Sequence, residues 1–247
     1  MRIGKVYIGT SGWSYKHWRG LFYPVGLAAS QQLPFYSSNF DTTEINSSFY
    51  RLPSPETVHH WTESVDKSFR FCPKISRWIT HAKKLNDPET SVPRFFDVFD
   101  PFRKSCGPVL IQLPEKLTFN PEKAAHFFSF LHRNYRDWTF SLEARHASWM
   151  SQEALDLLKK SNAGWVIADS GQRWASSEII TARHIYLRFH GPDGSYATGY
   201  PDAVLKTYAR KCSAWLNQGH DLWIFFNNDI HGYAIQNAIR LRELIEQ

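Results

Sequence analysis

Cysteine is scarce in this chain of 247 residues, with only Cys72, Cys106 and Cys212, far apart and without CxxC spacing. An odd, scattered set excludes a disulfide framework and a zinc ribbon as organising devices and suits a reducing compartment. Long apolar runs are missing too. None approaches the roughly 20 residues that span a bilayer, and the opening MRIGKVYIGTSGW has no apolar stretch of signal-peptide length. The expectation is a cytoplasmic protein with no membrane partner. No block of five or six like charges occurs, so the net charge of +6 is compatible with phosphate-bearing partners without being a nucleic-acid signature. GxSxG, Walker A and GxGxxG are absent, and with them the mechanical parts of serine hydrolases, P-loop enzymes and dinucleotide binders. HxH and HExxH are absent as well, so no dedicated zinc site is signalled.

What the chain does have is 43% apolar residues and 16% aromatics, enough for a packed core. Eight short segments rich in β-branched and aromatic residues recur along it, at 6–12, 42–49, 70–76, 108–114, 139–145, 164–170, 185–191 and 222–228. Helical patterns separate them. Asn120-Pro121-Glu122, Ser151 and Pro201-Asp202 each mark a helix start, and the stretches beginning at Pro55 and Gly232 read as helices also. Eight strands alternating with helices over this length predict an α/β fold, a (β/α)8 TIM-like barrel over 1–247 as one domain, with a doubly wound open sheet as the alternative. The crossover 171–184 lacks helical periodicity, so the helix between strands six and seven is expected to be irregular or missing. The proline-rich patch 86–101 reads as a loop.

The eighth segment, DLWIFFNND, turns from buried apolar residues to two amides and a carboxylate, and nearly every other segment also ends polar. In a barrel those ends form the carboxyl-terminal rim, where active sites sit. Period-two alternation then nominates Glu44, Lys74, Glu143, Asp169 and His190 for catalysis. Asn46, Gln112, Arg145, His146, Arg188, Asn227, Asn228 and Asp229 are nominated for substrate binding, with Trp13 and Tyr15 offering ring faces from the first loop. Arg145, Arg188 and Lys74 suit a phosphate or carboxylate. Glycines after strands seven and eight suit a phosphate cradle or ordinary turns equally. Three acids (Glu44, Glu143, Asp169) against three bases (Lys74, Arg145, Arg188) also fit a self-neutralising ion network that merely plugs the barrel. A divalent metal on Glu44, Glu143, Asp169 and His190 is chemically conceivable, but the three cations would repel it. Cys72, before Pro73 in an apolar strand, reads as core.

The chain resembles the YecE-like family, domain of unknown function 72, through GTSGWSYKHWRGLFYP (9–24), TTEINSSFYRLP (42–53), FCPKIS with THAKKL (71–85), VLIQLP (109–114), LEARHASW (142–149), YLRFHG (186–191) and FFNND (225–229). The resemblance runs almost end to end. It implies a TIM barrel related in architecture to metal-dependent endonucleases and sugar isomerases, and no established activity; function has to come from the site. The expected function is an enzyme, hydrolase- or isomerase-like, using acid–base chemistry on a small anionic, phosphorylated-sugar or nucleotide-like substrate. A nucleic-acid-binding or nucleic-acid-processing protein is the alternative.

Overall fold

Small polar caps and first-turn prolines set where the helices begin. The Asn120 side chain accepts a hydrogen bond from the Lys123 amide at 2.9 Å, with Pro121 opening the helix Pro121–Asn134. Ser151 caps Gln152–Lys160 through the Ala154 amide, and Ser54 caps Pro55–Glu63 through the Thr57 amide. In each case the side-chain oxygen satisfies an amide that the helix itself leaves unpaired. The same logic corrects the loop expected at 86–101. Pro88 and Pro93 open two short helices, Pro88–Ser91 and Pro93–Phe99, because proline is already set for a helical first turn.

The computed structural model describes residues 2–174 and 176–247. Eight strands, β1 Val6–Thr10, β2 Thr42–Ile45, β3 Arg70–Pro73, β4 Val109–Gln112, β5 Phe140–Glu143, β6 Ala163–Asp169, β7 His184–Phe189 and β8 Asp221–Phe226, pair in parallel in the order β3-β2-β1-β8-β7-β6-β5-β4. The two ends of that series meet. The Gly107 amide donates to Phe71 O at 2.8 Å and the Ile75 amide to Leu110 O at 2.9 Å, which closes the sheet into a barrel. Helices of β/α crossovers cover the outside, and the doubly wound alternative falls away.

Alternation divides the strands into two apolar layers. Outward-facing Ile8, Val109, Ile111, Leu142, Ile185, Leu187 and Ile224 join the helices in one large core. Inward-facing Cys72, Leu110, Val166, Ala168, Tyr186, Trp223 and Phe225 form a second cluster that fills the barrel, with Tyr7 stacked on Trp223 at 4.1 Å. Burial pushes the Cys72 thiol up, which agrees with a packing role. Between β6 and β7 the described residues form no helix. Instead the Thr181 hydroxyl donates to Ala163 O and accepts from the Trp165 amide, both at 2.7 Å, so a side chain ties an extended crossover to the strand.

The closing seam leaves no room at Gly107, where an added Cβ would lie 2.5 Å from the Trp223 ring and 2.7 Å from Cys72 Sγ. Gly107→Ala is therefore expected to lower stability by about 1–3 kcal/mol, read as a lower urea midpoint with an unchanged denaturant slope.

Candidate active site

Below the apolar cluster Ser141 and His184 satisfy each other at 2.8 Å, and above it the remaining polar inward positions collect at the carboxyl ends of the strands. There Ser11, Glu44, Lys74, Gln112, Glu143 and Arg188 share the interior face, with Asn46, Arg145, His190 and Asn227 two residues further on along their strands. Period-two alternation brings them to one opening. The short helix Ser47–Tyr50 fixes one side of it: the Ser48 hydroxyl hydrogen-bonds to Lys74 O at 2.7 Å.

Arg188 occupies the centre. Its Nε donates to Glu44 Oε1 at 2.8 Å and its Nη2 to Glu44 Oε2 at 2.9 Å, while Nη1 donates to Glu143 Oε2. Tyr186 Oη also donates to Glu44 Oε1 at 2.8 Å, and the Ser11 hydroxyl donates to Oε2. All three charged groups are buried. Burial disfavours ionisation of Glu143, but the Arg188 and Arg145 guanidinium groups outweigh it and hold its carboxyl well below the usual range. Arg145 adds an Nε contact to Glu143 Oε1 at 3.0 Å and lies over the Trp174 ring, 4.0 Å from its centre.

Lys74 has a different environment. Its Nζ donates to the neutral Gln112 amide oxygen at 2.6 Å and sits 4.3 Å from the Phe49 ring centre. Among the described residues no carboxylate oxygen comes within the 4.0 Å of an ion pair. Burial, and after it the charge of Arg188, lowers its pKa to about 7 against the pull of Glu143 and Glu44. Lys74 and Gln112 are 8% and 7% exposed, whereas Glu44, Glu143, Arg188 and His190 are at 0–1%. The Lys74 side chain is thus reached more readily than the carboxylates, among the half-buried Asn46, Arg145 and Asn227.

His190 is held neutral by burial. The Asn227 amide approaches its Nδ1 at 3.2 Å; with that nitrogen as acceptor the ring proton sits on Nε2, 3.8 Å from Glu143 Oε2. His190 Nε2, Trp174 Nε1 and Asn46 Oδ1 are buried without a hydrogen-bond partner, three polar atoms on mouth residues that a bound polar molecule would satisfy. Beside the mouth, a cavity of about 430 Å³ is lined by His81, Lys84, Pro114, Glu115, Lys116, Leu117 and Arg145.

Several nominated residues lie elsewhere. Asp169 follows inward-facing Ala168 and so points out into the helical shell, where Oδ2 accepts from Tyr208 Oη at 2.8 Å. Its catalytic assignment and the four-residue metal set are corrected on that ground; among the described residues no group of three His, Cys, Asp or Glu is arranged to hold a metal. Asn228 is also outward, its Nδ2 donating to Thr198 O and Asn237 Oδ1, both at 2.9 Å. Asp229 accepts from Trp18 Nε1 at 2.7 Å and pairs with His17, and burial raises its pKa to about 6. These two clamp loops. Trp13, half-buried, packs edge-on against Trp61, and half-buried Tyr15 reaches the edge of the mouth, where its hydroxyl bonds to Ser11 O. His146 caps a single helical turn through Ser148. The glycine loop after β7 turns its donors onto its own Asp193, which accepts from the Ser195 amide and the Thr198 hydroxyl, leaving no free phosphate cradle there.

Sequence reading missed Ser11, Tyr186, Phe49, His81 and Trp174. Tyr186 carried a signal, since it lies two residues before Arg188 on the same face. Trp174 carried none, because its segment has no periodicity to place it.

The family model described as "Protein of unknown function DUF72" matches residues 7–247. The chain is 26% identical to UPF0759 protein YunF of Bacillus subtilis, over 98% of this chain and 95% of that protein. It is 29% identical to UPF0759 protein YecE of Escherichia coli over 60% of this chain, a match that spans about half of that relative (51%). The crystal structure of a DUF72 family protein from Thermotoga maritima superposes with a TM-score of 0.88 at 26% identity, covering 98% of this chain and 100% of that one. One from Enterococcus faecalis gives 0.82 at 18% identity, a likeness of fold alone, over the full length of both chains.

Removing the central guanidinium leaves Glu44 buried without a cation and Glu143 with Arg145 alone, so Arg188→Met is expected to cost about 3–5 kcal/mol in chemical denaturation. The depressed carboxyl of Glu143 gives the pH direction. Its contribution is fully present above the ordinary value of 4.5 and is lost as pH falls toward the lower folded value. Wild-type stability should therefore drop below pH 4.5 more steeply than that of Glu143→Gln, measured as urea midpoints from pH 7 to 3.

Proposed function

The chain belongs to the DUF72 family of proteins of unknown function, and from that premise we propose that it is an enzyme using acid–base chemistry on a small anionic substrate at the carboxyl-terminal mouth of the barrel. The observation that carries this reading is Lys74, a buried amine with a neutral amide as its hydrogen-bond partner and a pKa of about 7. A group poised there both takes and gives a proton at neutral pH. Arg188, Arg145, Lys84, Lys116 and the partly protonated Lys74 outnumber Glu44, Glu143 and Glu115 across the mouth and the adjoining cavity, a balance that favours an anion. Arg145, with Lys84 and Lys116 along the adjoining cavity, supplies the donors, and a volume of about 430 Å³ suits a phosphorylated sugar or a nucleotide-sized molecule.

Thermal-shift and calorimetric titration against sugar phosphates, nucleotides and carboxylates tests the reading. Arg145→Ala is expected to weaken the anion that binds by roughly 10- to 100-fold, the loss of a charge-assisted hydrogen bond. Lys74→Met should bind it and fail to turn it over, and wild-type turnover should rise with pH through about 7 as the amine loses its proton. A wild-type protein unmoved by every anion defeats the proposal.

A second reading, single-stranded nucleic-acid binding, rests on a separate face. Tyr50 and Trp78 are 72% and 56% exposed and line a cavity of about 430 Å³ together with Arg51 and Arg94. Exposed rings beside arginines suit stacked bases and phosphates. Trp78→Ala should then weaken oligonucleotide binding by about 1–3 kcal/mol, and binding should fall steeply with salt. Salt-independent binding ends this reading.

A further inference from the structure

A lysine that only shuttles protons can do so from a wet, polar site. Lys74 instead lies against the Phe49 ring, with Phe49 itself buried, and a single neutral hydrogen bond from its amine to Gln112 fixes its direction. Its main-chain carbonyl is held by Ser48 and its main-chain amide by Ile45 O, so the side chain starts from a rigid base. Nothing pairs the nitrogen electrostatically at contact distance, because both nearby carboxylates are committed to Arg188. An apolar wall, a fixed direction and a nitrogen with no carboxylate at contact distance among the described residues are what a nucleophilic amine needs.

We infer that Lys74 is a covalent catalyst that forms an imine with a small aldehyde or ketone bearing a carboxylate or phosphate. The inference rests on the preceding reading for its anion site, and adds that the amine bonds to carbon. In the step the nitrogen lone pair forms a C–N bond to the carbonyl carbon while the π pair moves to oxygen. A proton passes from nitrogen to that oxygen, giving the carbinolamine. The C–O bond then breaks, and the carbonyl oxygen leaves as water with both amine hydrogens. No oxidant or reductant enters. When protonated, the imine is a cation facing Glu44 and Glu143, and the Phe49 side of the site keeps off the water that would hydrolyse it. The titratable groups around the nitrogen are Glu44 from β2, Glu143 from β5 with Arg145 just beyond it, Arg188 from β7 and His81, whose pKa burial lowers, beyond β3.

The test is reductive trapping on the full chain. The protein is incubated with pyruvate, glyoxylate, glyceraldehyde 3-phosphate or dihydroxyacetone phosphate, with acetone as the uncharged control, then treated with cyanoborohydride and mapped by peptide mass. The expected result is an adduct on Lys74, heavier by the carbonyl compound less one oxygen atom. Its yield with at least one anionic probe should exceed that at any other lysine by about tenfold, the advantage of an activated nucleophile. Adduct formation should also be roughly tenfold faster at pH 8 than at pH 6, following the neutral fraction of an amine with a pKa of about 7. Lys74→Arg, checked for folding by circular dichroism, should lose the adduct; the wild-type map decides the matter even if that variant does not fold. Adducts spread over exposed lysines with Lys74 unmodified overturn the inference. If calorimetry shows that an anion binds while Lys74 stays unmodified, imine formation falls and the acid–base reading stands. If no probe binds and none is trapped, both fall.

Discussion

A guanidinium buried between two carboxylates is the constraint on which the mouth of this barrel depends. Taking any one of Glu44, Glu143 or Arg188 out of water alone would cost several kcal/mol, so each tolerates its position only because the others are there. Their elements lie far apart in the sheet. From β2 to β5 in the strand order there are five strand spacings, roughly 24 Å if the sheet were flat. One arginine reaches both carboxylates only because the sheet is curled shut, which makes the ion triad and the closing bonds at Gly107 and Ile75 two statements of the same geometry. Tyr186 and Ser11 occupy the remaining acceptor positions of Glu44, so that carboxylate is saturated with hydrogen bonds.

That saturation explains why Lys74 stands apart. A balanced network of three acids and three bases would have neutralised it. With Asp169 turned out to Tyr208, Lys74, Arg145 and Arg188 share the mouth with Glu44 and Glu143, and those two carboxylates are already held by Arg188, Glu143 by Arg145 as well, while Glu115 faces Arg145 from the adjoining cavity. The remaining amine meets an amide and an aromatic ring. Its lowered pKa is thus a consequence of how the neighbouring charges are spent, burial first and the guanidinium second. A plug that served stability alone would be expected to leave no buried amine without a carboxylate partner.

The barrel was legible in the chain because its signals are local. Cap residues at Ser54, Asn120 and Ser151 begin helices where their chemistry says they should, and the absence of periodicity at 171–184 corresponds to a crossover without a helix among its described residues. The errors have equally local causes. Pro88 and Pro93, read as loop markers, serve as first-turn residues. Asp169 and Asn228 were placed at the mouth by their nearness to strand ends, yet each lies one residue out of step with the inward positions beside it, and one step reverses the face. In the loop after β7, Asp193 takes the Ser195 amide and the Thr198 hydroxyl for itself.

Residue order alone determined the eight strands and the capped helices between them, the polar strand ends, and the membership of Glu44, Lys74, Glu143 and Arg188 in one inward-facing set, because alternation along a strand and capping at a helix are properties of neighbours in the chain. Only the closed barrel decided which acid pairs with which base, and that Lys74 has no carboxylate partner among the described residues. Those outcomes depend on distances across the barrel between segments up to 144 positions apart, and on burial that strengthens each charge's dependence on its partners.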